Sequence, residues 1–150
     1  MTRRLVLATV PVLALAVAAA PALGAPAKKP KPITKSWTAT AFPPDPSHIT
    51  GETGGICGTT LPMSQYNEPF TVPYAGTLKV DMTGFVGDWD LAIWEKGRAV
   101  ADSAQSTTEP IDRPEKITMK FKRGGAKLQI RSCNFSGGPT ADVALVFTAA

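Results

Sequence analysis

Two carboxylates stand two positions apart in Gly87-Asp88-Trp89-Asp90-Leu91. Side chains alternate along an extended chain, so Asp88 and Asp90 project to one face. Such a pair suits a hard cation, and Ca2+ collects roughly six to eight oxygens. Asp81 and Asp45 are the candidates for supplying more of them. The alternative is structural, with an Asp at the start of a strand accepting N–H bonds from the bend between Gly84 and Gly87. Paired acids also serve glycoside hydrolysis. That reaction needs a set separation across a cleft, and adjacent same-face strand positions are too close. Leu91 and Ile93 turned to a core would put Trp94 outward, where an indole stacks on sugar or peptide. The alternative for Trp94 is packing beneath a loop.

The rest of the chemical inventory is thin. His48 is the single histidine, and no Ser or Cys motif flanks it. A catalytic base needs a third group to orient it, and none is specified. No phosphate loop, dinucleotide fingerprint or Gly-x-Ser-x-Gly turn occurs. A small extracellular hydrolase would have only His48 or the carboxylates to draw on. Cys57 and Cys133 are the two cysteines. In an exported chain they read as one disulfide, which leaves no thiol for catalysis or zinc. Closing a loop of that length removes about 4–4.5 kcal/mol of unfolded-state entropy. Asn134-Phe135-Ser136 is a glycosylation sequon, meaningful only in a eukaryotic secretory route.

The elements that must position these residues begin with an export signal. Arg3 and Arg4 precede an apolar run to Ala22, and Ala22-Leu23-Gly24-Ala25 offers small residues for cleavage. This pattern predicts a signal peptide over residues 1–24, cut after Gly24 or Ala25, with Arg3-Arg4 a hint of twin-arginine export. Residues 25–33 are a leader rich in Lys and Pro, which repel and stiffen it. No second long apolar run follows, so no transmembrane segment is expected after cleavage, and the location is extracellular or in the cell envelope. Six of the sixteen Lys and Arg lie in the first 35 positions. Ten then face all twelve Asp and Glu, which argues against a nucleic-acid partner.

Residues 34–150 read as one all-β domain. Alternation marks strands at 34–42, 66–72, 77–82, 89–94, 98–104, 116–121, 127–131 and 142–148. Pro-Pro-Asp-Pro at 43–46 ends the first, since proline removes ladder donors. Residues 47–64 form a long loop carrying Cys57, which the disulfide ties down. Trp37 and Trp89 read as core. About eight strands with frequent turns and no helical period predict an antiparallel β-sandwich or jelly roll with one disulfide.

The order of these pieces resembles a known family. Phe70-Thr71-Val72-Pro73-Tyr74-Ala75-Gly76-Thr77-Leu78 is followed by Gly87-Asp88-Trp89-Asp90-Leu91, a Gly turn at Gly97 and Ser103. A second turn at Gly124-Gly125 then leads into Leu128-Gln129-Ile130-Arg131. Over residues 66–147 this is similar to the bacterial pre-peptidase C-terminal domain, a small jelly-roll sandwich. The family's usual Tyr after the late Gly turn is replaced by Lys127-Leu128. The resemblance implies a secreted, non-catalytic accessory or binding module. Its partner would be an extracellular polysaccharide, peptidoglycan or protein. A Ca2+-stabilised structural envelope protein is the alternative, and no cofactor is expected beyond that ion at Asp88 and Asp90.

Overall fold

The first strand of the chain pairs with the last, the second with the seventh, the third with the sixth and the fourth with the fifth, all antiparallel. The computed structural model describes residues 29–43, 56–58, 61–103 and 113–150. Within them lie β1 (Ile33–Thr40), a 3-10 turn (Pro62–Ser64), β2 (Gln65–Thr71), β3 (Gly76–Thr83) and β4 (Gly87–Glu95). Then follow β5 (Arg98–Ser103), β6 (Glu115–Phe121), β7 (Lys127–Gly137) and β8 (Thr140–Ala149). Two more antiparallel pairings, β3 with β8 and β4 with β7, join the nested pairs into sheets ordered β1-β8-β3-β6 and β2-β7-β4-β5. This is the connectivity of a jelly roll, a long antiparallel ribbon rolled into two layers.

Strict alternation explains why the layers close face to face. Leu78, Val80 and Met82 of β3 and Val143, Leu145 and Phe147 of β8 point inward from the first sheet. Trp89, Leu91 and Ile93 of β4 and Leu128 and Ile130 of β7 meet them from the second. Each such side chain contributes about 1.5–3 kcal/mol by leaving water. Phe147 packs between Phe70 and Tyr74, with ring centres 5.8 and 5.4 Å away. Pro69 sits in β2, the edge strand of the second sheet, where a missing N–H costs least.

All eight strands fall where alternation put them, and two details differ. Trp37, read as core, is half-buried, because it packs on the core from β1, an edge strand. β7 runs six residues beyond the expected end at Arg131, because it is paired on both sides, by β2 and by β4. Cys133 therefore sits inside a strand. Its register with β4 skips Phe135, so that Trp89 faces Asn134 while Asp88 faces Ser136. The expected signal peptide, most of the leader, Asp45 and His48 lie outside the described residues. No helix among the described residues is long and apolar enough to cross a membrane.

Two glycines let β4 and β7 approach at one end. Gly87 and Gly137 face each other with φ of 97° and 102°. A Cβ on Gly137 would sit 2.1 Å from the Val86 carbonyl oxygen, and one on Gly87 2.2 Å from that of Ser136. Gly97, at the β4–β5 turn, also has positive φ but open space around it. Gly137→Ala should thus cost at least about 2 kcal/mol in urea unfolding, from strain and backbone collision together. Gly97→Ala carries the backbone strain alone, about 1 kcal/mol. Equal losses for the two would remove the close approach as the cause.

Candidate functional site

The outer face of the second sheet is covered by the segment that holds Cys57. Asp90, Ala92 and Trp94 of β4 alternate outward beside Arg131, Cys133 and Phe135 of β7. Cys57 bonds to Cys133 across a Cα–Cα distance of 5.7 Å, inside the ordinary range for a disulfide. Ile56 and Phe135 pack with Cys57, Ala92, Trp94 and Cys133 into a small second core. Two hydrogen bonds fasten the segment's backbone. The Trp94 indole N–H donates to the Ile56 carbonyl at 2.8 Å, and Arg131 Nη1 donates to the Cys57 carbonyl at 3.1 Å. The Arg131 guanidinium lies 3.8 Å from the centre of the Trp94 ring, a cation–π contact, while Nη2 donates to Gln129 Oε1 at 2.9 Å. Burial lowers the Arg131 pKa, yet a guanidinium stays charged. Cys57 itself holds φ of 63°, rare for a residue with a Cβ.

This arrangement corrects the expectation for Trp94. The residue does turn outward, but it is only 4% exposed, so its ring is not open to a sugar or peptide. The ring supports the disulfide-bearing segment instead. Asp88 and Asp90 share the outward side of β4, in unlike surroundings. Asp90 is 8% exposed. Asp88 is half-buried, its N–H donates to Ser136 Oγ at 3.4 Å, and burial raises its pKa above the usual carboxylate value. Among the described residues no third His, Cys, Asp or Glu joins them in a metal-binding group. Two carboxylates alone do not fill the shell that Ca2+ takes.

Other polar side chains are taken up inside the sandwich. Asn134 of the sequon is buried, and its Nδ2 donates to the carbonyls of Ala41 and Gly138, each at 2.9 Å. Its amide is out of reach of a glycan-transferring enzyme once folded. Glu115 is wholly buried and accepts a hydrogen bond from the Ser103 hydroxyl, whose oxygen accepts from the Lys116 N–H at 3.2 Å. This pair ties β6 of one sheet to β5 of the other. Sequence reasoning passed over Glu115, although it shares parity with Ile117 and Met119 on the inward side of β6.

Among the described residues, a concave feature lies at the opposite end of the strands from Asp88. An open groove of about 920 Å3 runs between the β4–β5 turn and the β6–β7 turn. Lys96, Lys120, Lys122, Arg123 and Lys127 line it, with Glu95 the single acid. Averaging charge over the domain concealed this cluster. The signal was present locally, since both turns carry cations close together in sequence, at 96–98 and 120–127.

No protein-family model matches the chain, and no curated protein does. Solved structures with some likeness include dimeric latent PorU from Porphyromonas gingivalis, at 10% identity and a TM-score of 0.31. That match covers 82% of this chain and 13% of PorU. The infectious bursal disease virus VP2 subviral particle matches at 12% identity and a TM-score of 0.31, over 93% of this chain and 37% of that one. The chain thus spans well under half of either protein. Likeness at this level carries no argument about function.

Two measurements probe the outer face of the second sheet. A double-mutant cycle of Trp94→Ala and Arg131→Ala, with the disulfide intact, should give a coupling of about 1 kcal/mol in urea unfolding. Additive losses would show that the two side chains hold the Cys57 segment independently. Asp88 supplies a pH test. An acid whose folded pKa is raised destabilises the fold when ionised, and that penalty is lost as pH falls through the raised pKa towards 3.8. Asp88→Asn should therefore raise the melting midpoint at pH 7 and lose this gain below 3.8. A lower midpoint for the variant in CaCl2, absent in chelator, would instead identify Asp88 as a cation ligand.

Proposed function

We propose that this chain is a secreted, non-catalytic binding or accessory module of the pre-peptidase C-terminal type, engaging an extracellular or cell-wall polymer. The observation that carries the reading is the open groove between the β4–β5 and β6–β7 turns. Turns at the end of a rigid sandwich are where such folds commonly present binding residues. The disulfide between Cys57 and Cys133 supports a working location outside the reducing cytoplasm. Of the two acids that the sequence offers to catalysis, Asp90 is buried, with its backbone carbonyl 3.7 Å from Cys57 Sγ, and Asp88 is half-buried. The strand order Phe70–Leu78, Gly87–Leu91 and Leu128–Arg131 that resembles the pre-peptidase C-terminal domain supports an accessory role.

A co-sedimentation panel tests this. The exported protein, mixed with insoluble peptidoglycan, cellulose, chitin, collagen and an insoluble anionic polysaccharide, should pellet with at least one polymer and remain in solution without any. Recovery of all the protein in every supernatant, at low salt, would overturn the reading.

A further inference from the structure

Charge in this molecule is sorted by end rather than spread. From position 36 onward the sequence has ten Lys and Arg, and five of them line the groove between the β4–β5 and β6–β7 turns. With Glu95 the single acid there, that wall carries four net positive charges in a domain that is otherwise acidic. Five acids of the described residues stand toward the opposite end, with Lys116 among them. Asp81 lies near the end of β3, Asp88 at the start of β4, Asp102 near the end of β5, Glu115 at the start of β6 and Asp142 at the start of β8. In the first sheet, pairing sets Glu115 opposite Met82 and Asp142 opposite Thr83, close to Asp81.

The five cations are exposed, and among the described residues no side-chain hydrogen bond or ion pair holds any of them. By contrast Lys35, on β1, is paired with Glu68 at 3.0 Å. Like charges crowded without partners repel, and an anion entering the groove relieves that repulsion.

We propose that this groove binds an extended anionic polymer through its repeating phosphate or carboxylate groups, held by Lys96, Lys120, Lys122, Arg123 and Lys127. The proposal rests on the polymer-binding reading above and names the ligand's chemistry. Three features select a polymer. The groove is open and runs from a turn of one sheet to the turn that joins the two, whereas small-molecule sites are enclosed and largely apolar. A membrane surface would call for apolar side chains at the rim, and the three most exposed large apolar side chains, Phe42, Met63 and Val86, stand at the far end. Stacking on nucleic-acid bases calls for exposed rings, and the aromatic in the lining, Phe121, is half-buried.

The test uses the exported protein with long-chain polyphosphate in one arm and polygalacturonate in the other, each immobilised. Cellulose, chitin and duplex DNA serve as comparisons. Salt-sensitive retention on at least one polyanion is expected, and the stronger arm assigns phosphate or carboxylate. Lys122→Glu with Arg123→Glu should weaken it by at least about tenfold. Lys116→Glu, at the acidic end, should leave it within about twofold. Both changes fall on exposed positions, so melting midpoints should match wild type, and Lys122→Ala with Arg123→Ala should give a smaller loss in the same direction. An equal loss from Lys116→Glu, no loss from the turn variants, or preferential retention on DNA would overturn the proposal. Binding to cellulose or chitin without binding to either polyanion would also overturn it while leaving the polymer-binding module standing. Retention on nothing would remove both.

Discussion

β4 and β7 run side by side through the middle of the second sheet, with Gly87 opposite Gly137 at one end and Glu95 opposite Leu128 at the other. That register is pinned where two backbones meet without side chains between them, and the skipped Phe135 then sets the parity of everything beyond. Because side chains alternate along a strand, a slip of one residue would turn Trp89, Leu91 and Ile93 out of the core and Asp90 and Trp94 into it. The disulfide, the Trp94–Arg131 contact and the approach of Lys96 towards Lys127 all follow from this one alignment.

The two faces of that sheet do different work. The inner face supplies half of the main core. The outer face carries a second, smaller one, in which a disulfide, an indole and a guanidinium hold Ile56 and Cys57. Such a cover explains how β4 can be buried on both sides, an unusual condition for an antiparallel sheet. It also means that residues with binding chemistry in their side chains, a Trp and an Arg, serve the fold. A concave, cationic surface lies at the turn end, built from exposed side chains that the core does not need.

The nesting of first with last strand has a kinetic side. β1 and β8 are separated by most of the domain, as are β2 and β7, and the disulfide spans 76 positions between them. Loop entropy must be lost before these long-range pairs contribute, which places such a topology among slow folders. Oxidation of Cys57 and Cys133 shortens the search by joining the segment just before β2 to the strand with which β2 pairs.

Much of this architecture is local information. Leu78-Val80-Met82, Ile117-Met119-Phe121 and Val143-Leu145-Phe147 alternate so plainly that strand, inward face and all-β class follow from the chain itself. Two cysteines leave one pairing to make, and Trp89 belongs to the core by parity with Leu91. Tertiary structure decided the rest, because burial and charge density depend on what lies across from a residue. Parity turns Trp94 outward, but only the segment laid over it makes it buried. Glu115 shares the parity of core residues, but only Ser103 on the facing sheet gives its carboxylate a partner. Lys96 and Lys122 are ordinary turn lysines in a list of residues. They become one cationic wall when a hairpin turn and the turn that joins the two sheets, distant along the chain, end at the same edge of the sandwich.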